Sequence, residues 1–362
     1  MSDGQALIGR PIYELETPAL VVDLVAMEGN LRQMAAFFAG APAALRPHVK
    51  NHRTPALAHL QLAAGAQGIC CGNLAEAEVM IAAGIDDILI TKQIVQPAQI
   101  ARVAAMAGRS ALKVIVDDAG VARELDLAAQ AAGTQVGVLV DVDVRLGRSG
   151  VAPGGAALRL AQQIVKAPGL RFLGLMGYEG SMHGLSQEER ERECRRALWL
   201  LVSTARLLER EGIAVPIVSA GATSTYAVAG SFPGVTEVQA GSYLLSDGRY
   251  RRAVPDLAVA IAVLTTVISR PSPGRVTVDA GQKKLSADGG LPEPALPGLR
   301  AVALNEEHGQ LELAADGPPI AVGNKLMLIP QHGSTTINLH DRIYAMRDGR
   351  VAMVWEVAAR GL

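Results

Sequence analysis

Residues 45–53 read LRPHVKNHR and place Arg46, His48 and Lys50 at alternate positions behind an apolar run. In a strand, alternate side chains share a face, so three potential cations would crowd together and lose hydration once enclosed. A lysine held that way has a depressed pKa and an amine able to attack a carbonyl. The competing reading is an exposed basic strand edge. Two other stretches, SAGATST (219–225) and QAGSY (239–243), are loops of small and hydroxyl-bearing residues. Loops of that kind are rich in backbone N–H groups and can hold a phosphate monoester. Each alone is often only a tight turn.

These residues need elements to bring them together. The chain has 362 residues, 49% of them hydrophobic and only 3% aromatic, so its core must be aliphatic. That composition suits buried parallel strands covered by alanine-rich helices. After an early strand (19–24) and a helix (26–39), eight strands are predicted at 45–50, 68–72, 87–92, 112–117, 136–142, 172–177, 215–219 and 236–241. Helical patterns such as NLAEAEVMIAAG fill the gaps, several of them ending in glycine. Eightfold strand–helix alternation is the pattern of a (β/α)8 barrel, a TIM-type α/β fold. A doubly wound sheet would normally announce a G-x-G-x-x-G loop after its first strand, and none follows one here. In a barrel, catalytic groups stand at the C-terminal strand ends, and phosphate is typically held after strands seven and eight. Lys50 ends strand one, and the two hydroxyl-rich loops follow strands seven and eight. A lysine across the barrel mouth from a phosphate nest describes a pyridoxal 5'-phosphate (PLP) site, with Lys50 forming the Schiff base.

From about residue 258 the texture changes to β runs such as RVTVDAG, KLMLIP and RVAMVWEV, separated by turn-formers. The expected organisation is an N-terminal strand segment (1–25) packing on the β domain, a barrel (26–252) and a C-terminal, mostly antiparallel β domain (253–362). The formal net charge of −1 gives no reason to expect a nucleic-acid or membrane partner. No apolar N-terminal leader and no uninterrupted run of about 18 apolar residues is seen. Cys70 and Cys71 would point to opposite strand faces, which disfavours a structural disulfide. Together these features lead us to expect a cytoplasmic protein.

In order along the chain, RPHVKNH, VDVDVRLGRSGV, GYEG, SAGATSTY, QAGSY, VDAGQKKLSAD and QHGSTTINLHD resemble the D-threonine aldolase and D-serine dehydratase family. That family joins an alanine-racemase-like barrel to a β domain, the PLP fold type III. The resemblance runs from LETPALVVDL to VWEVAARG, nearly the whole chain. It implies that Lys50 is the cofactor lysine, and that Arg148 and Tyr178 line the ring and substrate side. It further implies that Gly221, Ala222, Thr223, Gly241, Ser242 and Tyr243 cradle the phosphate and ring. Gln239 takes the place where alanine racemases carry an arginine facing the pyridine nitrogen. Read from the residues alone, Arg148 could instead pair with Asp141 or Asp143, Tyr178 could be a packed rim residue, and His48 is favoured as a packing and hydrogen-bonding group over a proton-transfer one.

In this family a histidine and, two residues later, an aspartate or cysteine bind a divalent metal. Here the pair is His332 and Ser334. Strand alternation would keep both on one face, but a neutral hydroxyl is a poor zinc ligand and a modest one for magnesium or manganese. Either His332 holds a metal weakly with waters, or it moves the proton itself. His183, His308 and His340 are taken as surface or turn residues. The expected activity is aldol cleavage of D-3-hydroxy-α-amino acids by a PLP-dependent lyase, to an aldehyde plus glycine or a related amino acid. The alternatives are elimination from D-serine or D-3-hydroxyaspartate, racemisation, and cofactor binding without catalysis. The resemblance also implies a homodimer in which each subunit closes the partner's barrel mouth.

Overall fold

A computed structural model describes residues 5–362. The first four residues of the expected N-terminal segment lie outside the described residues. The chain divides into two compact units. One holds residues 34–50 and 57–241; the other takes the N-terminal segment through Gln33, residues 51–56 and residues 242–361.

The first strand, β1 (Ala19–Asp23), belongs to the second unit. The first unit is built on β2 (Ala44–Leu45), β3 (Ile69–Cys71), β4 (Ile88–Ile90), β5 (Leu112–Val116), β6 (Val136–Asp141), β7 (Leu170–Met176), β8 (Ile217–Ala220) and β9 (Glu237–Val238). All eight pair in parallel in the order β2-β9-β8-β7-β6-β5-β4-β3. A parallel bridge from His48 to Cys70 joins the two ends of that series, so the ring closes. This is the barrel that the alternation predicts. The strands read as unbroken apolar runs because helices cover their outer faces and side chains fill the interior. The helix Gly155–Val165 shows the covering pattern, burying Ala157, Leu160, Ala161 and Ile164 along one stripe. Inside, Cys70, Leu89, Ile115, Leu139 and Met176 form a layer with one residue from each of five successive strands.

Nearer the N-terminal strand ends the interior turns ionic. Arg46 spans it, with Nε 2.8 Å from Glu237 and Nη1 2.5 Å from Asp87, while Lys113 Nζ reaches the same Asp87 oxygen at 2.6 Å. Arg46 and Glu237 are almost wholly buried. Arg46 and Glu237 are therefore matched where water cannot solvate them, while Asp87 is partly open to solvent.

The second unit adds β10 (Ile261–Ser272), β11 (Arg275–Val278), β12 (Glu293–Pro294), β13 (Leu299–Leu304), β14 (Gly309–Leu313), β15 (Lys325–Ile329), β16 (Arg342–Arg347) and β17 (Arg350–Glu356). Its sheet runs β13-β14-β11-β10-β1-β16-β17, with β15 paired to β10 and β12. Only the β1–β16 pair is parallel. Strands such as β15 and β16 alternate buried and less buried residues, as a sheet with one covered face requires. No helix among the described residues is long and apolar enough to cross a membrane, and all three cysteines are free and buried.

Candidate active site

Lys50 does not end a strand. The expected strand over 45–50 stops at Leu45, and Val49–Asn51 is a 3-10 turn. Pro47 explains the stop, since it has no N–H to give a ladder. The three basic side chains therefore do not share a strand face. Arg46 turns inward to its carboxylates, and His48 Nε2 lies 2.9 Å from Thr91 Oγ1. Lys50 is exposed, with Nζ 5.6 Å from the centre of the Tyr178 ring. Arg148 approaches that ring as well, its guanidinium carbon 5.2 Å from the centre. The structure thus brings Lys50, Arg148 and Tyr178 together around one aromatic surface, a placement worth about 0.5–1 kcal/mol per cation at an exposed site. Tyr178 follows β7, so the cluster stands at the C-terminal strand ends.

The turn after β8 is braced by Glu179, the buried carboxylate of the GYEG stretch, a role that the sequence alone did not reveal. Its Oε2 accepts the Gly221 amide at 3.1 Å and its Oε1 accepts the Thr225 hydroxyl at 2.5 Å. Burial pushes its pKa up, against the pull of those two bonds. Gly221 has φ +85°, which glycine adopts without strain. The Ala222 amide is also taken within the turn, by Thr225 Oγ1 at 2.9 Å. The Gly221 and Ala222 amides are thus both engaged within the turn in this structure, which fixes its shape. Thr223 is buried between them and Ser224. Gln239 is held by its amide nitrogen donating to Ser219 Oγ at 2.8 Å. Gly241 lies where a Cβ would sit 2.1 Å from the His48 carbonyl oxygen, so no larger residue fits. An exposed amine, a guanidinium, an aromatic wall and a hydroxyl-bearing turn make a donor set that fits PLP.

In the second unit, Ser242 Oγ accepts from Asn51 Nδ2 at 3.2 Å, and the Tyr243 ring is fully buried. His332 departs from expectation. The stretch after it is not a strand but a short helix, Gly333–Ile337, and His332 is its N-cap. Ser334 is the second residue of that helix, so strand alternation cannot set its hydroxyl beside the His332 ring. The ring instead meets Asp288, whose Oδ2 is 2.5 Å from Nδ1. Burial holds the His332 pKa below the usual histidine range, while the Asp288 bond and nearby Arg249 pull in opposite directions. That bond holds Asp288 below the usual carboxylate range. Beside them, Asp247 accepts the Gly333 amide at 2.9 Å and pins the helix start. Among the described residues no three His, Cys, Asp or Glu side chains gather to hold a metal. His340, read as a surface or turn residue, is buried, with Nε2 2.7 Å from the Lys284 carbonyl oxygen. Asp288 could have been noticed only as the acidic end of VDAGQKKLSAD; nothing local links it to His332.

Two protein families match successive parts of the chain. Residues 22–247 match the alanine racemase N-terminal domain family and residues 260–346 a serine dehydratase domain family. The chain is 41% identical to a D-threonine aldolase from Arthrobacter sp. over 98% of its own length and 95% of the relative's. It is 35% identical to a 3-hydroxy-D-aspartate aldolase from Paracoccus denitrificans, covering 99% and 96%. The crystal structure of D-threonine aldolase from Filomicrobium marinum superposes with a TM-score of 0.95 at 38% identity, covering 98% of both chains. D-threo-3-hydroxyaspartate dehydratase from Delftia sp. HT23 superposes at 0.86 with 30% identity, covering 96% and 98%.

Proposed function

The chain belongs to the alanine-racemase-like family of D-threonine aldolases and D-serine dehydratases, and we propose that it cleaves the Cα–Cβ bond of D-3-hydroxy-α-amino acids. It is a PLP-dependent lyase, and the products are an aldehyde and glycine or a related amino acid. The observation that carries this reading is the exposed Lys50 amine beside Tyr178 and Arg148, in a chain that matches aldolases end to end. PLP, when bound, supplies an electron sink for the charge left on Cα. Lys50 holds the cofactor through its amine. Arg148 offers a fixed positive charge to an anionic oxygen of cofactor or substrate, and Tyr178 forms the wall beside both. Gln239 is neutral and leaves the pyridine nitrogen without a charged partner.

In the second unit, Asp288 takes the Nδ1–H of His332, which leaves Nε2 as the acceptor. Nε2 receives the proton of the substrate's β-hydroxyl as the Cα–Cβ bond breaks. A carboxylate behind a histidine is also the usual support of a metal-binding imidazole. In that alternative His332 would hold magnesium or manganese weakly with waters and would not itself act as the base. An identity of 32% to a D-threo-3-hydroxyaspartate dehydratase from Delftia sp. supports elimination as the second reading. In that case Lys50 removes the Cα proton. The exposed Lys50 supports a homodimer in which the partner subunit closes the barrel mouth and excludes water. The three free cysteines support a reducing, cytoplasmic setting.

The test joins two measurements. Borohydride reduction of the PLP-loaded protein followed by peptide mapping should place the label on Lys50. D-Threonine, D-3-hydroxyaspartate and D-serine should then be scored for aldehyde against keto acid, after chelation and with manganese restored. Label on another lysine, or keto acid as the sole product, refutes the aldolase reading.

A further inference from the structure

Three groups at the mouth of the barrel unit have no part in the chemistry above. Gln93 lies in the loop after β4, Asp117 follows β5, and Asp141 is the last residue of β6. The Gln93 side-chain amide donates one hydrogen to Asp117 Oδ2 at 3.0 Å and the other to Asp141 Oδ2 at 2.8 Å. Each of those oxygens accepts a second bond from the loop that carries Arg148. Asp141 Oδ2 takes the Ser149 hydroxyl at 2.9 Å, and Asp117 Oδ2 takes the Gly150 amide at 2.9 Å. The residues immediately after Arg148 are thus fastened to two different strand ends, and one amide holds both fasteners in place.

The rest of the loop is built to need such a clamp. Asp143 Oδ1 accepts the Arg145 and Gly147 amides at 3.0 and 2.9 Å, turning the chain sharply. Arg145 has φ +91° and Gly150 φ +99°. A Cβ at position 150 would sit 2.6 Å from the Asp143 amide nitrogen, so the loop doubles back tightly there. Arg148 itself is exposed, approaches the Tyr178 ring and lies close enough to Asp141 for its charge to favour that carboxylate. Two neighbouring carboxylates would repel each other, and burial already disfavours the charge on Asp141. The shared amide offsets that repulsion, because both of its hydrogens point at the pair.

We infer that Gln93, Asp117 and Asp141 form a bracket that positions the Arg148 guanidinium over Tyr178 for cofactor and substrate. The bracket itself is a feature of this chain's own bonding; its consequence for turnover rests on the proposed function. Gln93 is a positioning residue and touches no reacting atom. Displacing a charge by an ångström at a reacting centre costs up to about a hundredfold in rate.

The experiment uses the full-length PLP-loaded protein with Gln93→Leu, the milder Ser149→Ala, Arg148→Ala and the double variant Gln93→Leu/Arg148→Ala. Hydrogen exchange of the 145–151 segment should accelerate in Gln93→Leu and, less, in Ser149→Ala. For aldehyde release, Gln93→Leu should lower kcat/KM by about ten- to a hundredfold. In the Arg148→Ala background the same change should cost less than about twofold, because a bracket has nothing left to position. Equal losses in both backgrounds, or a 145–151 segment that exchanges no faster in either variant, overturn the inference. If the parent releases no aldehyde, the proposed function fails, and the exchange measurement still decides the bracket.

Discussion

The carboxylate of Asp288 meets Nδ1 of His332 at 2.5 Å, although the two stand 44 positions apart in sequence and Asp288 itself lies on an open loop. The contact fixes which ring nitrogen carries the proton and which is left to work. Asp288→Ala should therefore lower turnover by about ten- to a hundredfold and weaken any manganese response alongside. Asp288→Asn keeps an acceptor and should lose less. Steady-state aldehyde release, run with a manganese titration, measures both. An Asp288→Ala protein with parental turnover would show that His332 needs no partner.

Gly241 and Gly29 make a matched pair. An added methyl at 241 would stand 2.1 Å from a backbone oxygen, whereas at 29, within the helix Leu24–Gly40, nothing lies within 4 Å. Gly241→Ala should destabilise by about 1–3 kcal/mol or prevent folding. Gly29→Ala should stabilise by roughly 0.5–1 kcal/mol. Chemical denaturation of the two variants checks the contrast; similar midpoints would contradict it.

The ionic interior of the barrel should respond asymmetrically. Glu237→Gln leaves Arg46 buried with half its compensation and should cost about 3–5 kcal/mol. Replacing Arg46 and Glu237 together by Met and Leu should recover much of that loss. Urea unfolding of the single and double variants decides, and a double variant no better than Glu237→Gln would mean the pair is needed for more than neutrality.

His340 should weaken the fold in acid. Burial lowers its pKa from 6.5 to about 4, with a bond to the Lys284 carbonyl opposing that shift. Between those two values the unfolded chain binds a proton that the folded chain does not. Stability therefore falls as the pH drops through that window, by up to about 1.4 kcal/mol per pH unit. His340→Gln keeps a donor and removes the titration. Its Tm should drop less than the parent's between pH 7 and pH 4.5, and equal drops would assign the acid sensitivity elsewhere.

The barrel was legible because buried parallel strands declare themselves as apolar runs, and VGVLVDV or LKVIVD can hardly be anything else. The surroundings of Lys50 were legible only in part. Pro47 breaks the strand that would have crowded three cations onto one face, and Arg46, His48 and Lys50 disperse to different partners. The helix at 333–337 stayed hidden because GSTTI is rich in β-branched residues and carries no helix former of note. Contacts such as Gln93 with Asp117 and Asp141, or Glu179 with Gly221, join residues 24 to 48 positions apart. No local pattern encodes them, since each partner answers to its own strand and only the parallel pairing of neighbouring strands brings them together.

The pairing of β1 sets a timetable for biosynthesis. Residues 19–22 form their ladder with 261–264, and 21–23 with 344–346. A ribosome adding about 5–20 residues per second releases β1 long before its second neighbour exists, an interval on the order of half a minute. For most of that time, while the eight barrel strands are completed behind it, an aliphatic strand waits with both edges unsatisfied, and one edge stays open until β16 is made. Unpaired strand edges of that kind are where a nascent chain is open to mispairing. A premature stop shortly before residue 342 would leave one edge of β1 without its partner, so a lesion near one end of the chain is felt at the other.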